Sequence, residues 1–180
     1  MDEYDLTPAG AHELAPLVTP LKRLYRRCFS GPPWNEGEAR LAGFTGRFAA
    51  HLAVAGTHGV IARHGGAIAG IVYGWPAAAE TPDSPFYARV YGAVDPAKHH
   101  LLLAPSLEVA ELMVDPDHQG RGLGRALLAQ LADPHPLAWL CTHPNAPARG
   151  LYESEGWAKL GAYTNADGTP LIVMSRARGC

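Results

Sequence analysis

The sequence has little net charge, few cysteines and no long apolar run. Its 15 Lys and Arg residues nearly balance its 17 Asp and Glu residues, so the formal net charge is -2. No global positive field therefore exists to hold a nucleic-acid backbone or an anionic membrane surface, and we expect neither as a partner. No apolar stretch approaches the roughly 20 residues that a membrane-spanning helix needs. Any anion-binding site must be local.

The three cysteines, Cys28, Cys141 and Cys180, are an odd number without close spacing. They predict neither a disulfide framework nor a zinc site. This pattern is typical of a protein kept in a reducing compartment, so we expect a cytoplasmic location. The nine histidines include no pair at helical spacing together with a carboxylate. We therefore expect no bound metal ion.

The composition is otherwise that of an ordinary globular protein. With 180 residues, of which 47% are hydrophobic, the chain is long enough to bury one core. We find no internal repeat and no change of composition that would mark a boundary. The sequence therefore predicts that residues 1–180 form a single domain.

Two helices are predicted before any strand. Thr19 and Pro20 are typical of a helix N-cap and first helical position, and apolar residues follow at helical spacing. Asn35, with Glu38 three residues later, indicates a capping box. The apolar spacing after it predicts a second helix that continues through Phe48.

A hairpin is predicted next. The turn His64-Gly65-Gly66 separates a short strand at 60–62 from a second strand at 67–75. The second strand is nearly all apolar, so we expect it to be buried on both faces. Residues 76–105 are rich in Pro and Ala and have no clear period, which predicts a loop with at most a short helix.

The rest of the chain alternates strand and helix. A strand at 106–114 leads through a glycine-rich turn into a helix with leucines on one face, and a strand at 137–142 follows. This βαβ order requires the two strands to be parallel. Asn145 is typical of the N-cap of a short helix, and Gly156 lies just past the end of that helix. A closing hairpin completes an α/β sheet.

The turn before the helix in the βαβ unit reads Gln119-Gly120-Arg121-Gly122-Leu123-Gly124-Arg125. Unpaired backbone N–H groups and the helix dipole make such a strand-to-helix turn an anion site, and its two arginines add positive charge. A tight turn without a ligand is the alternative interpretation. The sequence lacks the order of a Rossmann fingerprint and the Gly-Lys-Ser/Thr of a P-loop.

Two blocks of sequence resemble the GNAT superfamily of acetyltransferases. Leu-Met-Val-Asp-Pro at 112–116, followed by the glycine-rich turn, resembles the family signature Gln/Arg-x-x-Gly-x-Gly/Ala. Asn-Ala-Pro-Ala-Arg-Gly-Leu-Tyr-Glu-Ser-Glu-Gly-Trp at 145–157 is similar to the family's Asn-x-x-Ala-x-x-x-Tyr-x-x-x-Gly-aromatic helix. The resemblance covers residues 106–163. It implies a GNAT fold, with a mixed central sheet whose parallel strands splay apart and whose faces are flanked by helices.

The same resemblance implies an enzyme that moves an acetyl group from acetyl-CoA (CoA) to an amine. The backbone of Leu112, Met113 and Val114 would pair with the pantetheine, and a backbone N–H near Met113 would polarise the thioester carbonyl. Asn145 would also contact the pantetheine, although N-capping explains this residue about as well. The residues that would hold the pyrophosphate are Gln119, Gly120, Arg121, Gly122, Leu123, Gly124 and Arg125.

Attack on the thioester requires a base, because an aliphatic ammonium has a pKa near about 10. Glu111 and Glu108 are the candidates, and their odd spacing puts them on opposite faces of the strand. Glu111 is closer to the proposed carbonyl site, whereas Glu108 matches the position of the base in histone-type relatives. Pairing of either carboxylate with an arginine is the alternative. Tyr152 matches the family tyrosine that protonates the leaving thiolate, and a core tyrosine is the alternative for that residue.

The acceptor is less constrained. Ribosomal-protein alanine acetyltransferases resemble this chain but keep a basic glutamate where it has Leu140, which weakens the case for a protein N-terminus. Aromatic residues that would line a pocket favour a small-molecule amine with an apolar part: Trp34, Phe44, Phe86, Tyr87 and Tyr91. The alternatives are a protein N-terminal or lysine acetyltransferase and a CoA-binding sensor or scaffold without turnover. A homodimer is compatible with the sequence.

Overall fold

The computed structural model describes residues 4–178, so Cys180 lies outside the described residues. The chain divides into two compact units. The first consists of Met1–Trp75 and Ala110–Ala132, and the second of Pro76–Val109 and Asp133–Cys180. The change from Val109 to Ala110 falls within a strand, so this strand contributes residues to both units.

Residues 4–178 form strands and α-helices in an order that begins and ends with strands. The strands are β1 (Asp5–Gly10), β2 (His58–His64), β3 (Ala67–Pro76), β4 (Leu107–Val114), β5 (Leu137–Thr142), β6 (Ala158–Thr164) and β7 (Pro170–Ala177). The helices are α1 (Ala11–Leu14), α2 (Val18–Phe29), α3 (Glu38–Ala42), α4 (Phe44–Leu52), α5 (Pro85–Ala93), α6 (Leu123–Ala132) and α7 (Ala148–Ser154).

β1 is a strand that the sequence did not predict. It pairs with β2 in antiparallel fashion, from Asp5 opposite Arg63 to Gly10 opposite His58, so the expectation that two helices precede the first strand is wrong. β1 contains Pro8, which has no N–H to donate, and its burial pattern does not alternate. Such a sequence is tolerated at the edge of a sheet but lacks the period-2 signal of a strand.

Both predicted N-caps in the N-terminal region are wrong. α2 begins at Val18, one residue before Thr19, because the chain is already helical there, and no side chain caps the helix. Asn35 has a φ of +45°, a left-handed conformation, and α3 begins at Glu38. Gly43 separates α3 from α4, so the second predicted helix consists of two shorter helices.

The helices of the first unit bury a cluster of aromatic rings. Tyr25 contacts Phe29 and Phe44 with ring centroids 4.5 and 4.8 Å apart. Phe44 stacks on Phe48 at 5.4 Å, and Phe48 meets the edge of Tyr73 from β3 at 5.6 Å. Phe44 and Phe48 are each 1% exposed. The apolar spacing that predicted these helices therefore marks their core-facing side correctly.

The β2–β3 hairpin is confirmed, including burial of β3 along most of its length. Its turn residues Gly65 and Gly66 have φ of +56° and +82°, which favours glycine. Within β3, a Cβ added to Gly70 would lie 2.9 Å from the Met113 carbonyl oxygen and 3.0 Å from Leu127 Cδ1. The missing side chain of Gly70 is what lets β4 and α6 approach β3 so closely.

In the second unit, the first three residues of β4 pair with β5 in parallel, with Glu108 opposite Trp139. β5 and β6 both pair with β7 in antiparallel fashion. The parallel pair confirms the βαβ prediction. A mixed sheet flanked by helices confirms the predicted fold class.

The segment 76–105 contains the short helix that the sequence allowed, α5, and a 3-10 helix at Pro96–Leu102. Ser84 caps α5, since its side chain accepts a hydrogen bond from a backbone N–H of the first turn. The C-terminal end of α5 lies against β6, where a Cβ added to Gly161 would overlap the carbonyl of Ala93. Gly161 is therefore required for the packing of α5 on this strand.

The cysteines that the structure describes, Cys28 and Cys141, both carry free thiols. No helix within residues 4–178 is long and apolar enough to cross a membrane. Over the same range, no three His, Cys, Asp or Glu side chains lie together in a way that could hold a metal ion.

Candidate active site

The glycine-rich turn lies directly before α6, as predicted. Gly120 and Gly122 have φ of +73° and +82°, and a Cβ added at either position meets no atom within 4 Å. The loop therefore borders open space, and its backbone is accessible. Arg121 and Arg125 are exposed, and the first N–H groups of the 10-residue helix α6 have no partner within the helix. The turn thus has the backbone geometry and the charge to hold a pyrophosphate.

Three other residues of the predicted pyrophosphate site have roles within the protein. The Gln119 side-chain amide donates a hydrogen bond to the Val114 carbonyl at 2.9 Å. Leu123 is 3% exposed, and Gly124 lies in the first turn of α6. Leu123 is thus part of the core.

Helix α2 holds the segment that joins β4 to the turn. Arg27 Nη2 lies 3.0 Å from an Asp115 carboxylate oxygen and 2.9 Å from one of Asp117. The Cys28 thiol donates to the Val114 carbonyl at 3.4 Å. Burial raises the pKa of Cys28 to about 12, so the thiol keeps the proton that it donates. The turn is therefore anchored on its N-terminal side.

Leu112, Met113 and Val114 form the end of β4. Met113 is 1% exposed and packs into the aromatic core of the first unit, whereas Leu112 and Val114 are partly exposed. Met113 is thus a core residue, and its carbonyl oxygen faces Gly70 of β3. The roles of these residues as pantetheine partners, and of a backbone N–H near Met113 as an oxyanion donor, stay predictions.

Glu111 lies on β4 among side chains of the first unit. Glu111 is partly exposed, and its pKa is raised from 4.5 to about 8. Burial of the carboxyl group is the largest cause, the negative charge of Glu36 adds to it, and the positive charges of Arg47 and Arg40 oppose it. A carboxyl group with this pKa exchanges its proton near neutral pH, which is what a general base must do. The surroundings of Glu111 thus fit the role predicted for it.

Glu36 is a residue near Glu111 that sequence reasoning missed. The Tyr25 hydroxyl donates to both of its carboxylate oxygens, at 2.7 and 2.9 Å, and Arg40 Nε lies 3.0 Å away. The Glu36 side chain is only 6% exposed. The i,i+4 spacing of Glu36 and Arg40 predicts an ion pair, but it does not indicate that the pair lies beside a residue of β4.

Two more titratable residues of the first unit belong to the same cluster. The Tyr73 hydroxyl and His51 Nδ1 are 3.0 Å apart. Burial, followed by the charge of Arg47, lowers the pKa of His51 to about 4, so the imidazole is neutral at physiological pH. Burial raises the pKa of Tyr73 well above its usual range, and the charge of Glu111 adds to this effect. Neither group is charged when Glu111 titrates.

Glu108 has a different environment within the second unit. It is 5% exposed, and the Tyr87 hydroxyl donates a hydrogen bond to its carboxylate at 2.8 Å. Cys141 is also near, and burial, together with the charge of Glu108, raises the pKa of the Cys141 thiol to about 12. A thiol with this pKa is a poor nucleophile at neutral pH, so Cys141 is unsuited to carry an acyl group.

Tyr152 lies in α7 of the second unit and is 5% exposed, with its ring 5.9 Å from that of Trp157. The prediction that Asn145 caps this helix is wrong, because α7 begins at Ala148 and Asn145 lies before it. The Asn145 N–H donates to Nδ1 of His143 at 3.0 Å. The Asn145 side chain is exposed and does not serve as a helix cap.

The aromatic residues predicted to line an acceptor pocket have different surroundings. In the first unit, Phe44 is a core residue, and Trp34 is partly buried against Phe29 at 5.2 Å. In the second unit, Tyr87 bonds Glu108, Tyr91 is 7% exposed, and Phe86 is 36% exposed. Phe44 and Tyr91 therefore contribute to the core. Trp34, Phe86 and Tyr87 keep surface that a ligand could contact.

Comparison with known proteins agrees with this geometry. The family model "Acetyltransferase (GNAT) family" matches residues 18–157, and the chain belongs to this family. It is therefore an acyltransferase that uses acetyl-CoA. No curated protein resembles the chain closely enough to count as a match.

Solved structures show the same fold at low identity. A putative GNAT acetyltransferase from Desulfovibrio desulfuricans is 20% identical over 97% of this chain and 99% of its own, with a TM-score of 0.62. Aminoglycoside 6'-acetyltransferase type Ii is 15% identical over 96% of each chain, with a TM-score of 0.62. PaiA N-acetyltransferase from Thermoplasma acidophilum, solved with coenzyme A, is 9% identical over 98% of this chain and 99% of its own, with a TM-score of 0.60.

Proposed function

We propose that this enzyme transfers the acetyl group of acetyl-CoA to the amine of a small molecule by direct attack on the thioester. We further propose that residues 1–180 act as one catalytic domain. The family model, which runs through residues of both units, supports this second point. The cytoplasmic location and the homodimer stay predictions.

The observation that carries the proposal is the place of Glu111 on β4, where it is partly exposed and faces Glu36 and Arg47. Burial of the carboxyl group and the charge of Glu36 raise its pKa to about 8 there. An amine with a pKa near about 10 is mostly protonated at neutral pH and cannot attack in that form. A base with a pKa near the working pH is the most effective acceptor of its proton. Glu111 has this property, which supports it as the base.

Glu108 is the weaker candidate on two grounds. Its carboxylate already accepts a 2.8 Å hydrogen bond from Tyr87, so one of its oxygens is engaged within the protein. Its neighbours also come from α5 and β5 of the second unit, whereas Glu111 faces the N-terminal helices. We therefore propose that Glu108 holds the Tyr87 hydroxyl in place and does not act as the base.

The proposed reaction balances without a further reactant. Acetyl-CoA supplies a thioester whose acyl carbon accepts the lone pair of the amine, so that a C–N bond forms as the C–S bond breaks. Glu111 takes the first proton from the ammonium group and later releases it to solvent. The nitrogen loses its second proton to solvent once the C–N bond has formed. Tyr152 donates a proton to the departing sulfur and regains one from solvent. Gln119 to Arg125 and the backbone of 112–114 hold acetyl-CoA in this proposal, and the exposed Asn145 is available to contact it.

The test follows free thiol while the protein is incubated with acetyl-CoA and a panel of acceptors. The panel contains primary amines, amino acids, a peptide with a free N-terminus and a lysine-containing peptide blocked at its N-terminus. We expect thiol release with small amines, and a larger loss of activity for Glu111→Gln than for the matched variant Glu108→Gln. Tight acetyl-CoA binding without thiol release on any acceptor would identify a sensor or scaffold instead. Preference for either peptide would refute the small-molecule acceptor.

A further inference from the structure

Arg47 of α4 places a guanidinium group inside the cluster of titratable side chains of the first unit. Its Nη1 donates a 2.9 Å hydrogen bond to the Arg40 carbonyl, and its Cζ lies 5.2 Å from the centre of the Tyr25 ring. Its Nη2 is buried and has no hydrogen-bond partner among residues 4–178. Part of the donor capacity of this guanidinium is therefore unused.

The positive charge of Arg47 acts on the whole cluster. It lowers the pKa of Glu111, Tyr25, His51 and Tyr73. Yet no carboxylate within the described part of the chain lies in ion-pair distance of it. The groups that face Glu111 are Tyr25 and Cys28 from α2, Glu36 and Arg40 around the start of α3, Arg47 from α4, and Tyr73 from β3.

The two carboxylates of this cluster, Glu36 and Glu111, are not free to neutralise Arg47. Glu36 accepts two hydrogen bonds from Tyr25 and pairs with Arg40. Glu111, with a pKa of about 8, is mostly protonated at neutral pH. His51 is neutral because its pKa is about 4. At pH 7 the cluster thus carries one positive charge whose counter-ion the described residues do not supply.

A partly buried charge without a counter-ion is unfavourable, and a bound anion removes that cost. Among anions, a carboxylate matches the planar donor fork of arginine and forms charge-assisted hydrogen bonds with it. We propose that Arg47 binds a carboxylate of the acceptor, so that the acceptor is an amine that also carries a carboxylate, such as an amino acid. This inference rests on the proposed function, in which Glu111 receives the proton of the same acceptor.

The charge distribution argues against a polycationic acceptor. A polyamine or aminoglycoside needs several unpaired carboxylates, but in this cluster Glu36 is already engaged and Glu111 is the single carboxyl group left, mostly protonated at pH 7. The unpaired group here is a cation, Arg47. A zwitterionic acceptor supplies a carboxylate to Arg47 and an ammonium group to Glu111, the proposed base.

The experiment compares pairs of acceptors that differ by one carboxylate: L-phenylalanine with phenethylamine, L-leucine with isoamylamine, and glycine with methylamine. The ratio of kcat/KM within each pair is measured for wild type and for Arg47→Met. We expect the variant to lower this ratio about ten- to a hundredfold, since a hydrogen bond to a charged group is lost. The matched control Arg26→Met, which removes an exposed charge paired with Glu38 outside the cluster, should leave the ratio unchanged. An unchanged ratio in Arg47→Met overturns the inference.

Binding measurements separate this inference from the proposed function. Calorimetry with N-acetyl-L-phenylalanine, the product expected from phenylalanine, should show binding that Arg47→Met weakens, even if no acceptor gives turnover. If no acceptor is acetylated but the product binds in an Arg47-dependent way, the proposed function is refuted and the inference about Arg47 stands. If wild type and Arg47→Met bind the product equally, the inference about Arg47 is overturned. Acetyl-CoA should bind both proteins equally, and tenfold weaker binding to the variant would assign Arg47 to a phosphate of CoA and overturn the inference. If Arg47→Met does not fold, Arg47→Lys keeps the charge but loses the fork, and a several-fold fall in the same ratio is expected.

Discussion

Replacing Glu111 by Gln should change stability and activity in opposite directions. The pKa of Glu111 is about 8 in the folded protein and about 4.5 in the unfolded chain, so folding takes up a proton between these two pH values. The stability that this protonated carboxyl contributes is fully present below about pH 4.5. It is lost as the pH rises through about 8. A glutamine at this position has no such titration.

The size of the effect follows from the same two pKa values. One proton gives a slope of about 1.4 kcal/mol per pH unit, and the interval from 4.5 to about 8 corresponds to about 5 kcal/mol in total. The free energy of unfolding of Glu111→Gln minus that of wild type should therefore rise by several kcal/mol between pH 5 and pH 8. Groups common to both proteins cancel in this difference.

Urea denaturation of wild type and Glu111→Gln at pH 5, 6, 7 and 8 measures this difference directly. Parallel pH profiles would show that Glu111 is not perturbed, and the assignment of Glu111 as the base would lose its physical support. In the kinetic arm, wild-type kcat/KM, corrected for the fraction of free amine, should rise with pH to a plateau above about 8. Glu111→Gln should lose about 10²- to 10⁴-fold, the usual contribution of a positioned base.

Three further substitutions test other parts of the structure. Gly122→Glu should abolish the rise in Tm that acetyl-CoA gives wild type, because it fills the open loop and strains a φ of +82°. The matched control Gly168→Glu, at a φ of +85° in the β6–β7 turn, should keep that rise in Tm. A normal rise in Tm for Gly122→Glu would exclude the glycine-rich turn as the pyrophosphate site. Tyr152→Phe should lower turnover roughly ten- to a thousandfold, and less at high pH where the thiolate leaves unprotonated, with acetyl-CoA affinity unchanged. Marked unfolding with normal activity of the folded fraction would instead make Tyr152 a core residue. Gly161→Ala should cost about 1–3 kcal/mol or more in urea denaturation, because the methyl overlaps the Ala93 carbonyl, whereas Gly92→Ala, with open space around its Cβ, should cost nothing. Equal stability of these two variants would contradict the packing of α5 on β6.

The parts of the site that depend on neighbours in sequence could be predicted from the sequence. The turn at Gly120 and Gly122 is an example. A left-handed backbone conformation before a helix favours glycine, so the two glycines indicate the turn from local sequence alone. The parallel strands could also be predicted, since strand, helix and strand follow each other within a short segment.

The parts that depend on tertiary contacts could not be predicted. The pKa of Glu111 depends on Glu36 and Arg47, which are about 75 and 64 positions away in the sequence, and no periodicity connects them. The caps at Thr19 and Asn145 failed for a different reason. Thr and Asn both favour helix starts. At Thr19 the chain is already helical before this residue, and after Asn145 it becomes helical only at Ala148.

The close contact at Gly70 limits how this protein can evolve. Every amino acid except glycine would bring a Cβ to 2.9 Å from the Met113 carbonyl oxygen and 3.0 Å from Leu127, and backbone atoms cannot move aside as a flexible side chain can. Gly70 touches no proposed substrate, yet a substitution there displaces the strand that carries Glu111 and the helix that follows the glycine-rich turn. In a library of random variants selected for activity, Gly70 should therefore be as intolerant of change as a catalytic residue.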